Sequence, residues 1–185
     1  METTKQPLIT VVMPNYNGHR FVEQAIDSVL NQTYSNFELL VVDDCSKDNS
    51  LQLIQQKAQS DDRIRVIALE HNAGVANARN VGIKEAKGEF IALLDNDDLW
   101  TEDKLERQLA LANKGADIVY CSYDFIDEQN NPIKKPFIVP QQTNFNKMLA
   151  SSVISCSTSF IKTELMQAHP FNSDFYHEDY VLWME

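Results

Sequence analysis

The chain has 185 residues, 43% of them hydrophobic and 23% charged, which is typical of a globular protein and excludes disordered or fibrous chains. The formal net charge of -11 argues against nucleic acid as a partner, because a polyanion would be repelled, and an anionic substrate would need a cation. No run is apolar enough for a signal peptide or a membrane span. Three widely spaced cysteines indicate a reducing compartment. We therefore expect one principal domain over residues 1–185, in the cytoplasm.

The N-terminal segment predicts a strand, a helix and a second strand. Residues 8–13 form an apolar run that ends at a break rich in turn residues. The following helix places four apolar residues on one face, namely Val22, Ile26, Val29 and Leu30. Residues 37–42 are the next apolar run. The order strand, helix, strand indicates a crossover unit of a parallel sheet.

The same pattern continues through the middle of the chain. Ser46 or Asp48 caps a second helix, which leads to a strand over residues 64–69. A third helix over about 75–86 is followed by a strand over 90–94. This alternation predicts an α/β fold with a Rossmann-like, mostly parallel sheet flanked by helices.

The C-terminal part is less regular. A helix over residues 102–114 and a strand over 118–123 complete the periodic region, and a turn at 129–132 precedes an extended segment over 136–140. A last helix begins at Tyr180, and the sequence stops without a helix cap or a glycine stop. We interpret this as a C-terminal truncation.

Polar loops follow three predicted strands at their carboxyl ends, where ligands bind in open parallel sheets. The loops are residues 14–17, Asp43 with Asp44, and 95–98. Asp95 and Asp97 are two positions apart, so both can reach one ion. Divalent Mg²⁺ and Mn²⁺ bind through one or two carboxylates plus substrate phosphates, so the pair predicts a metal site that clamps a diphosphate. The alternative is an acidic turn in which Asp98 caps the following helix.

Six motifs, taken in order, resemble those of the family 2 glycosyltransferases, which are inverting enzymes of the GT-A fold. They are PNYN (14–17), VLNQTY (29–34), VVDDCS (41–46), GVANARNVG (74–82), DNDD (95–98) and HEDY (177–180). Together they cover almost the whole chain. The resemblance implies a nucleotide-sugar-binding half over about 7–114. It also implies an acceptor and catalytic-base half over about 115–185, incomplete at its C-terminus.

The resemblance implies a binding site for the nucleotide base. The loop containing Pro14, Tyr16 and Asn17 would lie against the base, and Tyr16 offers an aromatic face. The carboxylate of Asp44 would accept a hydrogen bond from uracil. The structural alternatives are a packed loop tyrosine for Tyr16 and a turn or cap residue for Asp44.

By the same resemblance, the phosphates and the metal lie further along the sheet edge. Arg79 and Asn96 would lie near the nucleotide-sugar, although a structural ion pair between Arg79 and one of the clustered aspartates is the alternative. Asp97 matches the metal-coordinating aspartate of the family, and Asp95 assists it. The cofactor is then Mn²⁺ or Mg²⁺, which neutralises the departing diphosphate.

A general base is implied near the C-terminus. Asp179 matches the family's catalytic base, which takes the proton of the acceptor hydroxyl as its oxygen attacks the anomeric carbon. Glu178 is the alternative base. A third reading is that both carboxylates only cap the helix that begins at Tyr180.

The resulting functional hypothesis is a metal-dependent inverting glycosyltransferase that uses a nucleotide-sugar, with a UDP-sugar favoured. The acceptor would be a saccharide or a lipid-linked saccharide in bacterial surface polysaccharide or lipopolysaccharide assembly. That acceptor would lie at the inner face of the membrane. The protein would associate peripherally with this membrane through the missing C-terminal region. The alternatives are a nucleotide-sugar-binding module without activity and a sugar nucleotidyltransferase. The sequence lacks the glycine-rich phosphate loop that the nucleotidyltransferase requires.

Overall fold

The computed structural model describes residues 6–184, so the two ends of the predicted domain, 1–5 and 185, lie outside the described residues. Four adjacent parallel strands form most of the main sheet: β1 (Ile9–Asn15), β2 (Phe37–Asp43), β3 (Ile64–Ala68) and β4 (Phe90–Leu93). Two short strands, β5 (Ile118–Val119) and β8 (Phe160–Lys162), complete it. The order is β3-β2-β1-β4-β8-β5, and β8 runs antiparallel to both of its neighbours.

Helices cover the two faces of this sheet. The crossover helices are α1 (Val22–Leu30), α2 (Ser50–Ser60) and α3 (Val75–Glu85). The later helices are α4 (Lys104–Ala112), α5 (Phe145–Ala150), α6 (Thr163–Ala168) and α7 (Glu178–Leu182). The predicted α/β fold, with a mostly parallel sheet flanked by helices, is confirmed.

The alternation of side chains along β1 divides the core into two layers. Val11 and Met13 pack with α1 and α4 on one face, whereas Val12 packs with residues of α3, α6 and α7 on the other. Every residue of β1 and of β2 is buried, as expected for strands covered on both faces. Gly82 allows the close approach of α3 to the sheet, because a Cβ there would lie 2.4 Å from Cγ1 of Val12.

The prediction for residues 118–123 is wrong in its length. The strand ends at Val119, because its partner β8 is only three residues long and offers Ile118 and Val119 their pairing partners. Tyr123 instead begins a separate hairpin formed by β6 (Tyr123–Ile126) and β7 (Pro132–Phe137).

The predicted turn at 129–132 is confirmed as the tip of this hairpin. The carboxylate of Asp127 accepts hydrogen bonds from the backbone N–H groups of Gln129 and Asn131, both at 2.9 Å. Asn130 adopts a positive φ of 65°. The extended segment predicted over 136–140 belongs to β7 only as far as Phe137.

At the start of α2 one of the two predicted caps is observed, whereas the boundaries of α4 and α7 differ from the prediction. Asp48, rather than Ser46, contacts the start of α2, since its Oδ1 accepts the backbone N–H of Ser50 at 2.9 Å. The last helix begins at Glu178, two residues before the predicted start. Among residues 6–184, no helix combines the length and the apolar character needed to cross a membrane.

Candidate functional site

The carboxyl ends of β1, β2 and β4 surround an open cleft of about 390 Å³. This cleft, which we call the donor-side cleft after the role that the resemblance implies, contains seven of the residues singled out from the sequence: Pro14, Tyr16, Asp44, Arg79, Asp95, Asn96 and Asp97. Asn15 and Asn72, which the sequence analysis did not assign to a site, line the same cleft. The arrangement follows from topology, because the loops that leave parallel strands meet at one edge of the sheet.

The loop after β1 combines an exposed ring with a buried amide. Tyr16 lies in the cleft with 47% of its surface exposed. Asn15 is buried, and its Nδ2 donates hydrogen bonds to Oδ1 of Asp43 at 2.7 Å and to Oγ of Ser50 at 3.0 Å. This network holds the loop in place, so Tyr16 is presented to solvent on a rigid support.

Asn17 does not line the cleft. It has a positive φ of 52°, and its Oδ1 accepts the backbone N–H of Lys47 at 2.7 Å, while its own N–H donates to Oγ of Ser46 at 3.0 Å. Its observed contacts therefore tie the loop after β1 to the loop after β2. The direct contact with the nucleotide that the resemblance implies for Asn17 stays a prediction.

Asp44 both lines the cleft and orders the loop before α3. Its carboxylate is almost completely buried and accepts the backbone N–H groups of Ala73 at 2.9 Å and of Gly74 at 2.8 Å. Asn72 donates from its Nδ2 to the carbonyl of Asp44 at 3.1 Å. Each carboxylate oxygen can accept a second hydrogen bond, so these contacts leave capacity for a ligand.

Arg79 is the central cation of the site and is only 5% exposed. Its Nη2 donates to Oδ1 of Asp95 at 2.6 Å, and its Nη1 donates to Oε1 of Glu178 at 2.7 Å. Burial disfavours the charged guanidinium, but the carboxylates of Asp95 and Glu178 outweigh burial and raise its pKa. The ion pair with a clustered aspartate, one of the two alternatives for Arg79, is thus present, and Arg79 also faces the cleft.

The acidic loop after β4 is a tight turn held at both ends. Its backbone closes with a hydrogen bond from the N–H of Asp98 to the carbonyl of Asp95 at 3.1 Å, and the N–H of Asp95 donates to Oγ of Ser157 at 3.0 Å. Asn96 donates from its Nδ2 to Oδ1 of Asn15 at 2.7 Å. The turn is therefore fixed to β1 on one side and to the segment before β8 on the other.

The alternative that Asp98 caps the next helix is wrong. Helix α4 begins only at Lys104, and its N-cap residue is Asp103. Desolvation raises the pKa of Asp98, and the charges of Asp95 and Asp97 raise it further. A hydrogen bond from Ser157 lowers this pKa but does not cancel the increase. The charges of Asp95 and Asp97 thus disfavour an ionised Asp98, although Arg79 pairs with Asp95.

The carboxylates of this turn fit a hard divalent cation. Asp97 is exposed in the cleft, and its side chain has no hydrogen bond or ion pair with residues 6–184. Asp95 uses one oxygen for Arg79 and keeps the other. The described part of the chain has no group of three or more His, Cys, Asp or Glu side chains placed around one ion. Two protein carboxylates therefore require further oxygen ligands, as phosphate groups would supply.

A support that the sequence analysis missed lies behind the acidic turn. Trp100 donates from its Nε1 to the carbonyl of Ser157 at 2.9 Å, and Gln108 donates from its Nε2 to the carbonyl of Thr158 at 2.8 Å. Residues 156–158 form one buried 3₁₀ turn. This polar run has no helical or strand period, so the sequence offered no signal for it beyond its lack of charge.

The two candidate bases have different surroundings. Glu178 is largely buried and engaged with Arg79. The carboxylate of Asp179 accepts a hydrogen bond only from the backbone N–H of Tyr180 among the described residues, at 2.8 Å. It lines a second, acceptor-side cleft of about 420 Å³, together with His177, Tyr180 and residues 149–152. Of the two candidate bases, only Asp179 thus combines a free carboxylate oxygen with an open cleft.

Comparison with protein families gives one match across most of the chain. The family model described as Glycosyl transferase family 2 matches residues 10–168. The UDP-Glc:alpha-D-GlcNAc-diphosphoundecaprenol beta-1,3-glucosyltransferase WfgD of Escherichia coli is 41% identical over 179 residues, which are 96% of this chain and 68% of WfgD. The glycosyltransferase TuaG of Bacillus subtilis (strain 168) is 35% identical over 163 residues, or 88% of this chain and 65% of TuaG.

Solved structures share the fold. Residues 1–349 of S. aureus TarS superpose with a TM-score of 0.76 at 25% identity, covering 94% of this chain and 53% of that one. The mannosyltransferase PcManGT from Pyrobaculum calidifontis, solved with GDP-Man and Mn²⁺, gives a TM-score of 0.74 at 22% identity over 97% of this chain and 51% of that one. These likenesses confirm the predicted GT-A fold. The chain spans about two thirds of the length of WfgD and TuaG and about half of these structures.

Proposed function

The chain belongs to glycosyl transferase family 2, and from this membership and the geometry of its two clefts we propose that it is an inverting, metal-dependent glycosyltransferase that uses a UDP-sugar. The observation that carries the proposal is the convergence of seven residues, predicted from separate loops, on the donor-side cleft. The division into a donor half over 7–114 and an acceptor half over 115–185 belongs to the same proposal.

Binding of the donor would use the residues of the first cleft. The exposed ring of Tyr16 offers a stacking surface for the nucleotide base, and the remaining acceptor capacity of Asp44 suits an imide N–H such as that of uracil. Arg79 offers a guanidinium to the diphosphate. The base, the phosphates and the sugar would then lie along the sheet edge from Asp44 towards Asp97.

Asp95 and Asp97 would hold Mn²⁺ or Mg²⁺ together with the diphosphate. When bound, such a cation supplies charge neutralisation for the departing nucleotide diphosphate. The protein contributes the fixed turn that presents both carboxylates, through the hydrogen bonds of Asn96 to Asn15 and of Asp95 to Ser157. The net charge of -11 makes this neutralisation necessary, because the protein alone would repel the donor.

Transfer would occur between the two clefts. The carboxylate of Asp179 takes the proton of the acceptor hydroxyl, whose oxygen forms a bond to the anomeric carbon. The bond from that carbon to the diphosphate oxygen breaks on the opposite face, and the nucleoside diphosphate leaves with the electron pair. The configuration at the anomeric carbon is therefore inverted. Glu178 is less suited to this role because its carboxylate is already paired with the guanidinium of Arg79.

The acceptor is proposed from the nearest chemistry among the relatives described above. The name of WfgD specifies a GlcNAc carried on diphosphoundecaprenol as the molecule that WfgD acts on. We propose that this chain likewise acts on a saccharide, carried on a lipid diphosphate, in surface polysaccharide assembly. The reaction would then take place at the inner face of the membrane, with the protein associated peripherally.

Calorimetry tests donor binding. UDP with Mn²⁺ should bind the chain with micromolar affinity, GDP with Mn²⁺ should bind at least tenfold more weakly, and EDTA should weaken UDP binding strongly. Equal affinity for UDP and GDP would contradict the proposed role of Asp44. Release of UDP from UDP-glucose or UDP-GlcNAc then tests turnover. Binding without turnover would favour a binding module, and pyrophosphate release from UTP with a sugar phosphate would favour a nucleotidyltransferase.

A further inference from the structure

Arg79 connects the two clefts through a pair of carboxylates that are far apart in the sequence. It lines the donor-side cleft, where it contacts Asp95 at 2.6 Å. On the other side it contacts Glu178 at 2.7 Å, and Glu178 directly precedes Asp179 in the acceptor-side cleft. One buried guanidinium is thus shared between the metal-site turn and the helix that carries the candidate base.

Helix α7 has few other attachments at its first turn. Its C-terminal half is fixed by packing, because Leu182 belongs to the core layer that contains Phe171. Tyr180 donates from its hydroxyl to the carbonyl of Met148 at 2.9 Å. Among the side chains of Glu178 and Asp179, only that of Glu178 forms a contact with another element of the described chain. The ion pair of Glu178 and the hydrogen bond of Tyr180 are thus the side-chain contacts that flank Asp179.

Arg79 is also built to respond to an anion in the donor-side cleft. Its Nε–H is buried and has no acceptor within residues 6–184, although both of its terminal nitrogens are paired. A buried donor without a partner is unfavourable, so a rearrangement of Arg79 that gave this N–H an acceptor would be favoured. A cation at Asp95 would in turn compete with Arg79 for that carboxylate. Loading of the donor site therefore changes the charges that surround Arg79.

We infer that Glu178 is a positioning residue, which ties helix α7 and the carboxylate of Asp179 to the donor-side cleft through Arg79. The placement of the base then depends on whether the donor site is occupied. This inference rests on the proposed function. Such coupling acts in both directions. If the ion pair between Glu178 and Arg79 is lost, occupation of the donor site therefore no longer changes the placement of α7.

Trp183 reports on this tie, because it follows α7 and packs edge-on against Phe171 at 6.4 Å between ring centroids. Phe171 also lies under the guanidinium of Arg79, 5.2 Å from Cζ to the ring centroid. The chain has two tryptophans, so a protein labelled with 5-fluorotryptophan gives two ¹⁹F signals, and Trp183→Phe assigns them. Saturation with UDP and Mg²⁺ should shift the Trp183 signal in the wild-type chain. In Glu178→Ala the shift should disappear, although UDP affinity stays within threefold.

Turnover separates positioning from catalysis. Glu178→Ala should lower kcat about 10- to 100-fold, while the KM for the donor stays within threefold of the wild-type value. Glu178→Gln keeps an acceptor oxygen for Arg79, so its kcat should lie between those of Glu178→Ala and the wild type. The acidic limb of the kcat–pH profile should persist in Glu178→Ala and vanish in Asp179→Asn. The reverse result would make Glu178 the base and overturn the inference. Glu38→Gln is the control, since Glu38 pairs with Arg65 at 2.7 Å outside both clefts.

A ligand-free measurement keeps this inference separate from the proposed function. Amide hydrogen exchange over residues 178–182 should become at least tenfold faster in Glu178→Ala than in the wild type, while exchange in β1 stays the same. Unchanged exchange in α7, or a Trp183 signal that still shifts with UDP in Glu178→Ala, would overturn the tie. Absence of UDP binding to the wild-type chain would instead contradict the donor assignment, and the exchange result would still decide the role of Glu178.

Discussion

Asn96 donates a hydrogen bond from its Nδ2 to Oδ1 of Asn15 at 2.7 Å, and this contact joins the acidic turn after β4 to the end of β1. The backbone of Gly18 lies against the same pair. A Cβ on Gly18 would lie 2.1 Å from Nδ2 of Asn96 and 2.3 Å from Oδ1 of Asn15. The orientation of the turn that presents Asp95 and Asp97 therefore depends on a glycine that does not itself line the donor-side cleft.

Gly18→Ala should weaken the binding of UDP with Mn²⁺ about tenfold, because Asn96 must move and the turn loses its tie to β1. Calorimetry on the folded variant measures this effect. Gly82→Ala is the matched control, since its Cβ would meet Val12 in the core rather than the cleft, and it should lower the urea midpoint while leaving UDP affinity unchanged. If Gly18→Ala binds UDP with wild-type affinity, the contact between Asn96 and Asn15 does not determine the orientation of the acidic turn.

Asp97→Ala should abolish the metal-dependent part of UDP binding without destabilising the fold. The side chain is exposed and has no partner in residues 6–184, so its removal should change the free energy of unfolding by no more than about 0.5 kcal/mol. With Mn²⁺, UDP affinity should fall about 100-fold, whereas in EDTA the variant and the wild type should bind UDP equally. Asp62→Ala, at an exposed aspartate outside both clefts, should behave like the wild type. An unchanged metal requirement in Asp97→Ala would remove Asp97 from the metal site.

Strands β1, β2 and β4 could be predicted because strands covered on both faces are mostly apolar runs, with turn residues at their ends. The same logic located the donor-side cleft, since the residues after β1, β2 and β4 must share one edge of the sheet. Strand β8 could not be predicted in this way. It has three residues, too few for a periodic signal, and it enters the sheet antiparallel to β4 from about 70 residues further along the chain.

Parts of the candidate site could not be predicted for the same reason, because their side-chain contacts join residues that are far apart in the sequence. The ion pair predicted for Arg79 as an alternative was with an aspartate of the acidic turn, and Asp95 is only 16 positions away. Its second partner, Glu178, is 99 positions away, and no local pattern indicates that contact. Ser157 supports the acidic turn from a polar run that has no period. Asn15 lay within a recognised motif, but its burial and its bonds to Asp43 follow only from the strand pairing.

Asp179→Asn should abolish turnover while donor binding survives. The amide cannot accept the proton of the acceptor hydroxyl, so kcat should fall about 10²- to 10⁴-fold, the usual contribution of a general base. UDP affinity should stay within twofold, because Asp179 lines the acceptor-side cleft and not the donor-side cleft. Asp174→Asn, an exposed neighbour in the same segment, is the control. Retained turnover in Asp179→Asn would move the base to another carboxylate.

Lys104 is a buried lysine that contacts the residues supporting the acidic turn. Its Nζ lies 3.9 Å from the ring centroid of Trp100 and donates to Oε1 of Gln108 at 2.7 Å. Burial lowers its pKa from 10.5 to about 7, and the nearby Cys121 opposes this shift only in part. Because Trp100 and Gln108 hold the backbone of residues 157–158, the protonation of Lys104 bears on the stability of the site's support.

The stability of the fold should therefore rise with pH through a window set by Lys104. Below about pH 7 the lysine is charged in both the folded and the unfolded chain, and the full cost of burying the charge is present. Between pH 7 and 10.5 the unfolded chain binds more protons than the folded one, so the free energy of unfolding should increase by about 1 kcal/mol per pH unit from this group. Lys104→Met removes the titration, and its urea midpoints at pH 7, 8 and 9 should not show this increase. Parallel stability curves for the two proteins would mean that Lys104 keeps its charge in the folded state.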